Sequence, residues 1–367
     1  MKENSKGNAI SRRTFFKRAA IVGAAGIAAS IPGAGLAAKT NKKIEPAKPI
    51  EKFPDFKFKE NKKFKILQFT DTHYIAGDPR SERAMKNVIE MLDTEKPDLV
   101  IHTGDVIFGK PAEESARTIL QPIAERKIPW AVTLGNHDGE FGMTRQEIFD
   151  VMRSVPNNIN TGVKGIYGIS NDIITISSAD GKKQWILYLF DTGNKTTLKG
   201  KGVKQRSGYD YVHFDQIEWY RRHSEEYAKD NGGEPVQSLA FFHIPFPEYN
   251  YATRYDTRRV LKGNYGEEPY SPNVNSGLWL NMRERGDVQA TFCGHDHDND
   301  YAMSWNETFL CFGRFSGCDT VYNDLKPSGA RIIELTEGEH GFRSWIRIYG
   351  QGTTQDLKFP EDFATVL

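Results

Sequence analysis

Cysteine is almost missing from this chain. Its 367 residues include three, Cys293, Cys311 and Cys318. Three cysteines this late in a sequence make no disulfide framework. One pair could bridge without the spacing saying which, and the expected role is that of small buried hydrophobes. A surplus of either charge is missing too. Lys and Arg number 49 against 48 Asp and Glu, a formal net charge of +1. General polyanion binders carry a basic excess, so nucleic acid is not an expected partner. The longest apolar run, from Ala19 to Ile31, is rich in Gly and Ala. It falls short of the ~20 residues that a permanent membrane span needs. No internal repeat appears.

Enough remains for a sizeable core. Hydrophobic residues make up 38% and aromatics 12%, and the length admits one large domain or two ordinary ones. The N-terminus follows the three-part plan of an export signal. Arg12, Arg13, Lys17 and Arg18 precede the apolar run, and small residues follow at Gly35, Ala37 and Ala38. The Arg12-Arg13 pair with Phe15, Phe16 and Lys17 resembles a bacterial twin-arginine signal. Residues 1–38 are therefore expected to be removed near Ala37 or Ala38, after engaging twin-arginine export machinery. The product would be periplasmic or otherwise exported. Six basic residues and one acid leave with the signal, so the remaining body has 43 basic residues against 47 acids, a net −4. Residues 39–63, rich in Lys and Pro, read as a linker or irregular lead-in. Residues 64–350 read as the catalytic domain and 351–367 as a C-terminal tail.

From Phe64 onward short apolar runs end in polar clusters. The runs are Phe64–Phe69, Asp98–His102, Pro129–Leu134, Ser238–Phe242 and Val288–Phe292. Runs this short and this free of charge read as strands buried on both faces. Helical patterns open at Ser81, Pro111 and Asp215; the first carries Met85, Val88, Ile89 and Leu92 on one face. Later strands are expected at Thr308–Phe315, Ala330–Leu335 and Arg343–Ile348. The chain is α/β, with polar residues gathered at the C-terminal ends of strands, where open α/β sheets bind ligands.

Five clusters follow the five runs: Asp71-Thr72-His73, Gly104-Asp105, Gly135-Asn136-His137-Asp138, His243, and Gly294-His295-Asp296-His297. Each alone is weak, and a lone His such as His243 is ordinarily a structural residue. The order carries the signal. Five of the nine histidines lie in these clusters. The other four read as ordinary structural or surface residues, although His102 is close enough to Asp105 to support the cluster, unlike His213, His223 and His340, which lie far from these clusters in sequence.

The joint pattern, spanning Asp71 to His297, resembles the calcineurin-like metallophosphoesterase superfamily. The wording of FFHIPFPEY, GYDYVHFDQIEWY, FCGHDHDND and the GRFSG segment at Gly313 is similar to the branch near the plant purple acid phosphatases of the 29 type. The resemblance implies a four-layer double β-sandwich flanked by helices, with two metal ions at the sheet edge. By motif position Asp71, His73 and His297 would hold one ion, Asn136, His243 and His295 the other, and Asp105 would bridge. Mn, Fe or Zn, divalent or trivalent, suit imidazole and carboxylate ligands. Two such ions clamp phosphoryl oxygens and activate a shared water. The implied reaction is in-line attack by the bridging hydroxide on a small phosphate ester. His137 would protonate the leaving oxygen, and Asp138 would orient His137. Asp296 would serve as a turn or supporting residue, with Asp298 and Asp300 as solvated or capping groups.

Purple acid phosphatases carry a Tyr three residues after the GD aspartate, where this chain has Phe108, and they lack a His at the position of His73. No tyrosinate–iron colour is therefore expected. Substrate contacts are assigned to Asn136, His137 and Arg314; for the last a guanidinium fork can pair two phosphate oxygens, and a surface or structural arginine is the alternative. Tyr249, Tyr251 and Tyr255 are candidate pocket walls, or packing under a long loop. The leading reading is an exported phosphomonoesterase. A phosphodiesterase acting on cyclic nucleotides or glycerophosphodiesters is the alternative within the same chemistry. A non-catalytic metal-binding surface protein is the alternative of another class.

Overall fold

The computed structural model describes residues 52–196, 198, 208–256 and 260–364. The expected export signal, residues 1–38, lies outside the described residues. In chain order β1 (Asp55–Lys57) and β2 (Lys63–Phe69) precede α1 (Glu82–Glu95). Then come β3 (Leu99–His102), α2 (Ala112–Glu125), β4 (Trp130–Val132) and α3 (Arg145–Ser154). The middle of the chain holds β5 (Asp172–Ser177), β6 (Lys183–Leu189), α4 (Phe214–Asp230), β7 (Ser238–Phe241) and α5 (Glu248–Tyr255). It continues through β8 (Leu261–Lys262), α6 (Leu278–Arg285) and β9 (Val288–Cys293). The last five strands are β10 (Ala302–Trp305), β11 (Thr308–Phe312), β12 (Gly329–Thr336), β13 (Phe342–Ile348) and β14 (Thr353–Phe359). The five apolar runs are β2, β3, β4, β7 and β9, and the three expected helices are α1, α2 and α4.

The strands form two sheets. One has eight strands in the order β1-β5-β6-β7-β9-β11-β10-β8, the other six in the order β14-β13-β12-β2-β3-β4. Strands β2, β3 and β4 run parallel, as do β6, β7, β9 and β11. Side chains alternate across each strand, so neighbouring residues serve different cores. Leu67 and Val100 face α1, α2 and α3 through Val88, Ile119 and Phe149. Ile66 and Leu99 face the other sheet and meet Leu187, Phe241 and Phe292. On that sheet's far side Ile186 and Ala240 pack on Ile217, Tyr249 and Met282 of α4, α5 and α6. The result is four layers, helix–sheet–sheet–helix, as expected.

Local signals agree with these elements. Helix α3 starts with a capping box in which the Thr144 hydroxyl accepts from the Glu147 amide at 3.2 Å and Glu147 accepts from the Thr144 amide at 2.7 Å. Helix α1 ends at Lys96, whose φ of 48° stops the helix with its amide bonded back to Leu92.

Two boundaries differ from the sequence reading. The stretch 39–63 is not all lead-in: β1 pairs in parallel with β5, and Phe58 is buried. Nor is 351–367 all tail: β14 pairs with β13, and Leu357 and Phe359 are buried. Both are edge strands with one face in the inter-sheet core, so a few apolar residues suffice and the hydrophobic pattern is faint. All three cysteines are buried free thiols, as expected.

Candidate metal centre

The loops after β2, β3, β4, β7 and β9 meet and bring the seven expected ligands together. The backbone there is unusual. Asp71, His73, Asp105 and His295 have φ of 52°, 48°, 53° and 79°, a left-handed region that non-glycine residues seldom adopt and that gathers at functional sites. Glycines let the loops touch. A Cβ on Gly135 would strike the Asp105 carboxylate, and one on Gly294 would strike the Thr70 hydroxyl.

Each of the two central carboxylates divides its work. Asp71 spends Oδ2 on the His295 amide at 2.9 Å and the Thr70 hydroxyl at 2.6 Å. Its Oδ1 is buried with no hydrogen-bond partner. Asp105 accepts the His137 amide on Oδ1 at 2.8 Å. Its Oδ2 lies 3.7 Å from His73 Nε2 and 3.2 Å from His243 Nε2. Around these oxygens stand two donor sets, Asp71–His73–His297 and Asp105–His243–His295, each with its ligand atoms within 4.8 Å of one another. His73 Nε2 is 3.1 Å from His297 Nε2. His243 Nε2 is 3.3 Å from His295 Nδ1 and 3.1 Å from Asn136 Oδ1.

The outer nitrogens fix the rings. His243 donates Nδ1–H to the Thr103 carbonyl at 2.8 Å, and His297 donates Nδ1–H to the Tyr322 carbonyl at 2.8 Å. Both Nε2 lone pairs therefore point inward, the arrangement typical of metal-holding histidines. The orphaned Asp71 Oδ1 and the convergent lone pairs fit a pair of cations.

Burial and charge compete within the site. Burial alone would raise Asp71 and Asp105, but the neighbouring rings, His243 first, hold both below the usual carboxylate range. Burial lowers His297 to about 4 and puts His295 well below its ordinary value. His243 would also fall by burial, yet Asp105 and Asp71 raise it to about 9.

The centre opens into a cleft of about 320 Å³. Asp105, His137, His295 and His297 line it together with Tyr209, Tyr270, Tyr322, Glu267 and Asp296. Tyr322 stacks on His297 with centroids 4.4 Å apart, and Tyr209 meets His295 edge-on at 4.4 Å. These three tyrosines went unremarked in the sequence. Tyr209 sits inside a quoted motif, but nothing in its spacing marks it as a wall.

The contacts decide several assignments. Asp138 does not orient His137; its carboxylate accepts the amides of Gly135, Asp105, Val106 and Ile107 at 2.8–3.3 Å. It clamps two site loops together. Burial and the Asp105 charge raise its pKa. The partner of His137 is Glu140, whose Oε2 lies 2.6 Å from Nδ1. The His137 ring stands edge-on to Phe108 at 4.9 Å, and so does that of His73. Arg314 is not among the residues that line the cleft. It is buried, paired with Asp300 at 2.6 Å, and donates to the Pro327 carbonyl. Asp300 is buried and caps the Asn264 amide at 2.9 Å, and Asp298 caps the Asp324 and Leu325 amides, as expected. Tyr249 is core, its hydroxyl bonded to Thr291 at 2.9 Å, and Tyr255 is exposed away from the cleft lining. His102 supports the loops, with Nε2 2.8 Å from the Thr72 hydroxyl.

Two nitrogen–oxygen donor sets beside the Asp105 carboxylate, at the strand ends of a double sandwich, fit a dinuclear metal centre. Residues 64–299 match the calcineurin-like phosphoesterases as a family, and the chain belongs to that family. It is 33% identical over 290 residues, 70% of this chain and 72% of the relative, to "Probable inactive purple acid phosphatase 29" of Arabidopsis thaliana. It is 30% identical over 326 residues to "Phosphatase DCR2" of Saccharomyces cerevisiae, covering 78% of this chain but 54% of that protein. A dimetal phosphatase from Danio rerio superposes with a TM-score of 0.54 at 13% identity, covering 80% of this chain and 98% of its own; this likeness shows the fold.

Proposed function

We propose that the chain is an exported, dinuclear-metal-dependent phosphohydrolase that cleaves phosphate monoesters. The observation that carries this reading is Asp105 Oδ2, which faces His73 Nε2 at 3.7 Å and His243 Nε2 at 3.2 Å, as a carboxylate shared by two ions must. Asp71, His73 and His297 would hold one ion, and Asn136, His243 and His295 the other. Two such ions would supply positive charge for the phosphoryl oxygens and lower the pKa of water.

The chain's own groups supply the rest. His137 lines the cleft beside Asp105, and its backbone amide is fixed by Asp105 Oδ1. With Nδ1–H given to Glu140, Nε2 is the nitrogen available to protonate a leaving alkoxide. The carboxylate orients the ring and balances positive charge on it. Asp138 keeps the two loops in register. The N-terminal twin-arginine pattern motivates the export part of the proposal.

The name of the Arabidopsis relative raises a non-catalytic reading. Against it stand the complete donor sets and the His137–Glu140 pair, which a purely structural site does not need. The test is turnover of p-nitrophenyl phosphate against its bis ester after loading with Mn, Fe or Zn, with metal content measured alongside. Preference for the monoester supports the proposal, and preference for the diester replaces it with the phosphodiesterase reading. Two ions per chain without turnover of any ester leaves the non-catalytic reading.

A further inference from the structure

A second cleft, of about 330 Å³, adjoins the metal cleft, and Tyr270 lines both. Tyr270 is 61% exposed, yet its backbone is held: the amide donates to both oxygens of Asp296, at 3.1 and 3.3 Å. Asp296 sits between His295 and His297, so the wall dividing the clefts is tied to the loop that carries two metal ligands. This gives Asp296 a definite task.

Beyond Tyr270 the second cleft presents Tyr251, 38% exposed, with Pro247, Pro269 and Pro272. Two of its polar side chains bond to backbone. Asn250 donates to the Pro269 carbonyl at 2.6 Å, and Ser271 to the Phe246 carbonyl at 3.1 Å. Among the described residues that line it, the single cation is Arg254, and Glu268 neutralises it through a forked pair at 2.7 and 3.2 Å. A neutralised guanidinium is a poor seat for a second phosphate. Its flat face, the two tyrosyl rings and the prolines suit a planar uncharged ring, which stacks on such surfaces whatever its edge pattern.

We propose that the cleft beyond Tyr270 is a subsite for the leaving group of the substrate, and that this group carries a planar ring such as a nucleobase. The inference rests on the phosphohydrolase reading of the metal centre and names its substrate class. An ester with its phosphoryl group over Asp105, His295 and His297 would cross Tyr270 to reach the subsite. Binding there would be spent on the reacting end of the molecule.

The experiment compares kcat/KM for adenosine 5′-monophosphate, glucose 6-phosphate and glycerol 2-phosphate in the metal-loaded wild type, Tyr251→Ala and Arg254→Ala. Adenosine binding is measured in parallel by calorimetry. The wild type should favour the nucleotide, and each variant should cut that ratio about tenfold, the scale of one lost stacking partner, while weakening adenosine. Arg254 is exposed, so its variant guards against a folding defect at Tyr251. No preference in the wild type, or a ratio that neither variant moves, overturns the proposal. So does a variant-sensitive preference for glucose 6-phosphate, which would make the cleft a sugar site. If no ester is turned over but adenosine binds the wild type more tightly than both variants, the subsite stands and the hydrolase reading falls. Without turnover or adenosine binding, both fall.

Discussion

At the scale of single residues, the site turns on which oxygen each carboxylate keeps free. Asp105 presents Oδ2 to both donor sets, so Asp105→Asn should lower metal content below the two ions per chain expected of the wild type, read by elemental analysis of the purified protein. His137 and Glu140 form a unit, bonded at 2.6 Å. His137→Ala should retain metal and lose about 10²–10⁴-fold in kcat on esters with poor leaving groups, with little loss on activated aryl phosphates. Glu140→Gln should lose part of that activity in the wild-type background and nothing further in His137→Ala. Additive losses in this double-mutant cycle would separate the two roles. Phe108 puts a hydrocarbon ring 4.9 Å from that of His73, and its side chain has no atom that ligates iron. An iron-loaded sample should therefore show no strong visible band.

Elements explain what the sequence displayed and what it hid. The seven candidate ligands were legible because each follows a doubly buried strand, and such strands read as unbroken apolar runs. The partner of His137 was not, because adjacency suggested Asp138. The turn instead aims that carboxylate at four backbone amides, and a plain loop glutamate does the work. Arg314 misled for a similar reason. Its guanidinium fork suits phosphate oxygens, but its counter-ion is Asp300, from the loop between β9 and β10. The pair is buried, with side-chain exposures of 3% and 0%. Arg314→Ala should thus cost roughly 3 kcal/mol in chemical denaturation, the penalty for stranding a buried charge, while KM stays near the wild-type value. A raised KM at unchanged stability would return Arg314 to the substrate. The edge strands β1 and β14 were hidden because each contributes only one face. Deleting residues 351–367 should still prevent folding. It uncovers Phe342, whose ring stacks on Phe359 at 4.3 Å, and it leaves β13 as an unpaired edge.

Across the whole molecule, the four layers matter more than any loop. Asp71, His73, Asp105 and Asn136 follow strands of the six-stranded sheet, whereas His243, His295 and His297 follow strands of the eight-stranded one. Each donor set therefore draws on both sheets, and its closure depends on how the sheets pack through Ile66, Phe241 and Phe292. Ions seated there would act as rivets through two plates. Stripping them with a chelator should lower the melting temperature of the entire body in one cooperative transition, instead of loosening a local flap, and scanning calorimetry distinguishes the two.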